Sequence, residues 1–264
     1  RRVLFRSETT AMHGTDKFAI CIGYDKGEML TVNACINSIM SQATRPPPIF
    51  TCNMHDWSDI YKRKSRIGET VWRNGRFVTQ LFDGVSGAPM STEFSLSRFY
   101  LKHYEPLNKY DWVLFTDGDF IFTRDLHCVM DYAAKEFAIR CVKHEQRVSG
   151  PTKMRGVAQT QYPRKNWSSF MLWNMRHPAH DALTLDQLNN RASGLFLHQF
   201  AWLSDDLIGS LPSQWNHLVG VDPEPQEVPW GLHFTLGTPP MRSYYDEMWV
   251  RAALNDPIFT KATG

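Results

Sequence analysis

Trp112-Val113-Leu114-Phe115-Thr116-Asp117-Gly118-Asp119-Phe120-Ile121-Phe122 is the stretch that decides the fold. Its aromatic and β-branched residues have the composition of a strand buried on both faces, as in a parallel sheet. That strand ends in two carboxylates separated by one small residue. Buried charges persist only where something cationic offsets their desolvation. Asp117 and Asp119 can share one hard divalent cation with a diphosphate, at the strand end where α/β sheets bind ligands. A strand-terminating Asp-Gly turn is the plain alternative for this segment alone.

Strand and helix alternate around this stretch. Residues 18–22 read as a first strand, and Gly23-Tyr24-Asp25-Lys26-Gly27 leads into a helix with Val32, Cys35, Ile36, Ile39 and Met40 at helical spacing. Arg45-Pro46-Pro47-Pro48 stops it, and residues 49–54 form a second strand. Residues 55–75 have no clean period and read as an inserted loop or short helices, before a strand over 77–82. Ser91 is placed to cap a helix reaching Tyr104, closed by Pro106. A helix over 126–136 and a strand over 137–142 follow. Later helices are expected over 181–191, 196–208 and 244–254, with a strand over 230–236. This alternation predicts an α/β fold with a mostly parallel sheet flanked by helices.

The 264-residue chain has 42% hydrophobic and 21% charged residues, the balance of a globular protein with a large core. No apolar run approaches the roughly 18 residues that a membrane span needs. Residues 1–7 lack the apolar centre of a secretory signal, and Leu4-Phe5-Arg6-Ser7 reads as a translated adapter scar, set aside from the fold. Cys21, Cys35, Cys52, Cys128 and Cys141 are odd in number and lack CxxC spacing, against a disulfide scaffold or zinc site. Reduced core cysteines and a cytoplasmic location are expected.

A net charge of +2 hides basic segments. Residues 62–76 carry six basic side chains against Glu69, and residues 140–165 carry seven against Glu145. Such segments are most often solvated surface; lining one face, they would favour an anionic substrate. Trp72 and Trp167 lie beside these charges and could stack on a sugar or base.

With these parts in order, the chain resembles the GT-A glycosyltransferases, and family 8 (retaining, nucleotide-sugar dependent) most closely. Phe94-Ser95-Leu96-Ser97-Arg98-Phe99-Tyr100-Leu101, followed by Asp117-Gly118-Asp119, is similar to that family's Arg-bearing helix and metal-binding Asp-x-Asp. Residues 166–174 resemble its Phe-Asn-x-Gly-hydrophobic-Asn segment, with serine where the family has glycine. Leu197-His198-Gln199-Phe200 falls where the family has Asp-Gln-Asp, ahead of Leu211-Pro212 and Trp215-Asn216. His233 to Gly237 resembles the late segment whose histidine completes the metal site. Thr238-Pro239-Pro240 departs from the family's Lys-Pro-Trp, so the lysine that reaches the diphosphate is missing, with Arg242 as a substitute.

The resemblance implies a GT-A, Rossmann-like nucleotide-diphospho-sugar transferase fold: a single domain over 8–264, with a nucleotide-sugar-binding half (8–142) and an acceptor-side half (143–264). It implies Mn²⁺ or Mg²⁺ held by Asp117, Asp119 and His233, the histidine tilting the choice towards manganese. A lone strand histidine is also a common core residue. The donor implied is a UDP-sugar, with Tyr24 and Asp25 at the base, Arg98 at the phosphates or sugar, and Gly237 in the donor site. Gln199 would lie near the anomeric centre, where an amide carbonyl stabilises positive charge better than it forms an adduct. The acceptor is a glycan or a nucleic acid. Two other readings remain open: a DNA-modifying glycosyltransferase acting on a hydroxylated base, and a non-catalytic nucleotide-sugar-binding relic. A two-metal phosphoesterase lacks the further His/Asp cluster that it needs.

Overall fold

The computed structural model describes residues 17–73, 76–90, 92, 94–145, 164–239 and 245–255. Segment 1–7, Arg242, and Arg147, Lys153 and Arg155 of the second basic segment lie outside the described residues. A six-stranded sheet forms the centre. Its strands are β1 (Phe18–Gly23), β2 (Ile49–Cys52), β6 (Trp112–Asp117), β8 (Ile139–Cys141), β9 (Phe170–Asn174) and β10 (Ile208–Ser210). They stand in the order β10-β8-β9-β6-β1-β2. The pairs β1/β2, β1/β6 and β10/β8 are parallel, while β9 runs antiparallel to both of its neighbours.

Period-two alternation sorts the sheet's side chains into two cores. Ala19, Cys21, Val113, Phe115, Met171 and Trp173 face one layer. Ile20, Ile22, Trp112, Leu114, Phe170 and Leu172 face the other, where Val32, Cys35 and Ile39 of α1 (Met29–Gln42) cover them. The closing helix α3 (Asp246–Ala253) packs on α1, and Asn37 donates to the Ala252 carbonyl at 2.9 Å. All five cysteines are free thiols.

A second, three-stranded sheet contains β7 (Phe120–Phe122), β11 (His217–Leu218) and β12 (Gly231–His233). β7 begins one residue after Asp119 and pairs antiparallel with β12, setting His233 opposite Phe120. Gly231 permits this approach: a Cβ there would stand 2.3 Å from the Trp215 carbonyl oxygen.

Several local expectations are corrected. Residues 55–75 are not loop and short helices throughout. Ser65–Arg73 forms β3, which pairs antiparallel with β4 (Arg76–Asp83), and β4 pairs with β5 (Pro89–Met90). A register shift between Ile67 and Thr70 and exposure of both strands hide the alternation that a half-buried strand shows. The helix expected up to Tyr104 is a chain of 3₁₀ turns, Phe94–Phe99 and Leu101–His103, and Ser91 lies outside the described residues. Ser97 Oγ bonds the Phe94 carbonyl and Arg98 Nε the Ser95 carbonyl, taking acceptors that an α-helix needs. The helices read over 126–136 and 181–191 are likewise tighter or wider turns, Leu126–Tyr132, Pro178–Ala182 and the π-turn Gln187–Arg191. The helix expected over 196–208 is α2 (Gly194–His198), ended by Phe200 at φ +52°, and Ile208 already belongs to β10.

The hairpin is anchored by one buried ion pair. Arg63 donates to both Asp83 oxygens at 2.7 Å and to the carbonyls of Leu188 (2.6 Å) and Ala192 (2.7 Å). Burial alone raises the Asp83 pKa, but hydrogen bonds from Arg63 and Ser86 and the Arg63 charge outweigh it and hold the group below its usual 3.8. The stability this carboxylate supplies is therefore present above about pH 4 and lost as the pH falls further. Arg63→Met strands a buried carboxylate and is expected to lower unfolding free energy by about 3–5 kcal/mol in urea titrations. The variant should also lose stability less steeply than the native chain between about pH 5 and 3.

Candidate active site

The site lies at the carboxyl ends of β1 and β6. Register pairs Gly23 with Asp117, and the Gly118 amide donates to the Gly23 carbonyl at 2.8 Å. Asp119 follows at the turn into β7, and its own carbonyl accepts from the Phe234 amide at 2.9 Å. These contacts bring His233 Nε2 to 3.4 Å from Asp119 Oδ1. Ligand atoms of Asp117, Asp119 and His233 all lie within 4.8 Å of one another.

Hydrogen bonds fix the tautomer of His233. Ser169 Oγ donates to the Asn166 carbonyl at 2.7 Å, so its lone pair receives the Asn216 amide nitrogen at 2.9 Å. The Asn216 carbonyl oxygen then faces His233 Nδ1 at 3.0 Å, which places the ring proton on Nδ1. Phe120 stacks on the imidazole at 4.4 Å. Nε2 is thereby turned towards the carboxylates, the orientation that metal-binding histidines share. Two carboxylates and one oriented imidazole fit a divalent cation, which they could hold together.

Arg98 is buried beside them. Its Nη2 lies 2.8 Å from Asp117 Oδ1, its Nη1 donates to the Ser168 carbonyl at 2.7 Å, and its guanidinium stands over the Phe115 and Phe94 rings. Tyr24 is buried in the core under α1. Asp25 opens the 3₁₀ turn Lys26–Glu28 ahead of α1 through a capping box with Glu28, and also accepts from the Phe94 amide at 3.1 Å. Burial above all pushes the Glu28 carboxyl up to about 7; the charges of Asp119, Asp25 and Asp117 add to this, and the Asp25 amide opposes it. Four carboxylates thus crowd one sheet end.

Gln199 sits at the end of α2, where its carbonyl accepts from Arg164 Nη1. It is tied to Arg98 through its neighbours: His198 Nδ1 bonds Ser168 Oγ at 2.8 Å, and the Ser168 carbonyl holds Arg98. Gly237, at φ +135°, closes the turn after His233 by donating to the Phe234 carbonyl. The structure therefore gathers Asp117, Asp119, His233 and Arg98 into direct contact, with Tyr24 and Asp25 beside them. Gln199 and Gly237 join through adjoining turns.

Sequence reasoning missed Glu28, Ser168, Ser169 and Asn216 as parts of the site. Asn174, the last residue of the segment matched by resemblance, lies at the far end of β9 opposite Trp112 and bonds the Lys135 and Phe137 carbonyls. The site end of that segment is 166–169, where serines stand in place of the expected glycine.

No protein-family model matches the chain. Solved structures share its architecture at low identity. It superimposes on the bifunctional glycosyltransferase WbbM with a TM-score of 0.60 at 13% identity, covering 92% of this chain and 50% of that one. On galactosyltransferase LgtC, solved with donor and acceptor sugar analogs, it gives 0.56 at 13% identity, covering 92% and 98%. On apo GlyE of Streptococcus pneumoniae TIGR4 it gives 0.54 at 15%, covering 91% and 61%. The chain thus spans about half the length of WbbM. These likenesses establish the GT-A glycosyltransferase fold. At 35% identity over 256 residues, covering 93% of this chain and 90% of its relative, the chain belongs to the family of Protein CDI of Arabidopsis thaliana.

Asn216→Leu keeps the volume but removes both ends of the relay. We expect it to weaken Mn²⁺ binding, followed by electron paramagnetic resonance, about 10–100-fold. An unchanged affinity would leave the Asn216 network without a part in orienting His233.

Proposed function

We propose that this chain is a metal-dependent glycosyltransferase that moves a hexose from a UDP-sugar to an acceptor hydroxyl with retention. The observation that carries the reading is the partly buried meeting of Asp117, Asp119, His233 and Arg98 at the mouth of the parallel strands. Donor and acceptor sugar analogs in the similarly folded LgtC support it.

In this reading Asp117, Asp119 and His233 hold Mn²⁺ or Mg²⁺, whose charge would stabilise the departing diphosphate. Imidazole beside carboxylates suits manganese. Arg98, held rigid by Phe115 and the Ser168 carbonyl, offers donors to the phosphates or sugar. Tyr24 and Asp25 flank the base, and the Gly237 turn borders the donor. The bond from the sugar's anomeric carbon to the diphosphate breaks, UDP leaves with the electron pair, and the acceptor oxygen bonds that carbon on the same face and passes its proton to the departing diphosphate oxygen. Gln199 supplies a carbonyl to the positive anomeric centre. A glutamine is also the position changed in an active-site mutant of LgtC.

The acceptor side is assigned to residues 143–264. A cleft of about 530 Å³ opens within this half, lined among others by Asn166, Thr235, Leu236 and Trp230. Lys143 and Lys165 share its walls with Glu145, Asp222 and Glu227. This mixed charge supports a hydroxyl-bearing glycan over a polyanion such as nucleic acid. Among the described residues no helix is long and apolar enough to cross a membrane, and the free thiols support a reducing, cytoplasmic setting.

The test is release of UDP from a panel of UDP-hexoses with Mn²⁺, alongside calorimetry with UDP, GDP and CMP. We expect UDP to bind tightest and turnover to stop in excess EDTA. Asp119→Asn should lower turnover at least about 10³-fold, the loss of several kcal/mol of transition-state stabilisation, while thermal unfolding of the metal-free protein changes little. Full turnover in EDTA would overturn the metal assignment. Intact UDP-sugars in every reaction would leave a binding-only protein.

A further inference from the structure

The hairpin of β3 and β4 carries three large apolar side chains into solvent: Ile67 is 71% exposed, Trp72 62% and Phe77 72%. Trp72 and Phe77 face each other across the last rungs before the tip, 4.8 Å between ring centroids and edge to face. Exposed apolar groups gathered on one projection mark an interaction surface. The hairpin packs chiefly on itself, and its base is held by the buried Arg63–Asp83 pair. Ile67, Trp72 and Phe77 therefore take no part in the core.

Charge selects the partner. Lys62, Lys64 and Arg66 are exposed at the base and along β3, with Arg66 also over the Phe82 ring at 4.7 Å. Arg73 and Arg76 are paired in backbone register next to the tip. Glu69 is the one acidic residue between Lys62 and Arg76. Exposed aromatic rings near the end of a hairpin rich in cations match the boundary between anionic headgroups and acyl chains. A second copy of the chain is disfavoured, because two such hairpins would oppose like charges. A nucleic acid is also a poorer match: Trp72 and Phe77 already cover each other edge to face, and Ile67 has no ring to stack.

We propose that the β3–β4 hairpin docks this protein on an anionic lipid bilayer surface, with Trp72, Phe77 and Ile67 entering the headgroup boundary and the basic side chains meeting the headgroups. The docking surface lies outside the donor site and stands independently of it.

Co-sedimentation with phosphatidylcholine vesicles, with and without about 30% phosphatidylserine, tests this. The native chain should partition onto the anionic vesicles at least about tenfold more strongly than onto neutral ones, and less so in high salt. W72S/F77S should lose about tenfold or more, with Ile67→Ser as a second, separate probe of the same face. Replacing Lys62, Lys64 and Arg66 by glutamine should erase the preference for anionic lipid. Circular dichroism and unchanged thermal midpoints would show that the variants fold. Equal sedimentation of native and W72S/F77S protein, or none with anionic vesicles, would overturn the proposal. So would oligonucleotide binding, or dimerisation in ultracentrifugation, that depends on Trp72 and Phe77 without vesicle binding.

Discussion

The buried Arg98–Asp117 pair is the contact around which this site is arranged. A guanidinium with 5% of its side-chain surface exposed must satisfy its donors internally. It does so on Asp117, on the Ser95 carbonyl of its own turn and on the Ser168 carbonyl across the cleft. Each partner fixes a different piece of chain. The Ser95 bond helps keep residues 94–99 in tight turns, and Ser168 is clamped from its other end by His198. Arg98 thus ties the metal-competent strand end to the segment that carries Gln199.

The fold was legible where burial enforces a period. Strands β1 and β6 are buried on both faces, so their residues are uniformly apolar, and α1 shows a helical stripe because only one side meets the sheet. Legibility failed where side chains compete with the backbone or where neither face is buried. Ser97 and Arg98 spend side-chain donors on carbonyls that a helix needs, so a helical-looking composition yields 3₁₀ turns. β3 carries Ile67 and Trp72 outward beside Arg66 and Glu69, a mixture that no sheet period describes.

Within the candidate site, Asp117, Asp119 and His233 were readable because two carboxylates close an apolar strand and the histidine sits on a late one. Their supports were not. Asn216 and Ser169 act through hydrogen-bond direction, and one serine or asparagine in a turn looks like any other in sequence. The signals were present but indirect: serines at 168 and 169 where a resembling segment has glycine, and an asparagine following a buried tryptophan. Geometry alone shows that the first serine holds Arg98 and His198 while the second orients Asn216.

The charge arrangement explains why a plain turn is the poorer reading of Asp117-Gly118-Asp119. A surface Asp-Gly turn leaves its carboxylates in water, where crowding is screened. Here Asp25, Glu28, Asp117 and Asp119 converge at one sheet end, and burial with their mutual repulsion moves Glu28 up to about 7. The Cys35 thiol beneath is pushed up as well, first by burial and then by Asp119. Arg98 neutralises one of these charges, and His233 turns Nε2 towards Asp119 while Nδ1 faces the Asn216 carbonyl. A Ser–Asn–His chain of hydrogen bonds turns Nε2 towards two carboxylates, and the imidazole with those carboxylates is the donor set that the proposed divalent cation would use. The rigid parallel strands hold that centre in place, while the turns at 166–169, 198–200 and 233–237 carry what adjoins it.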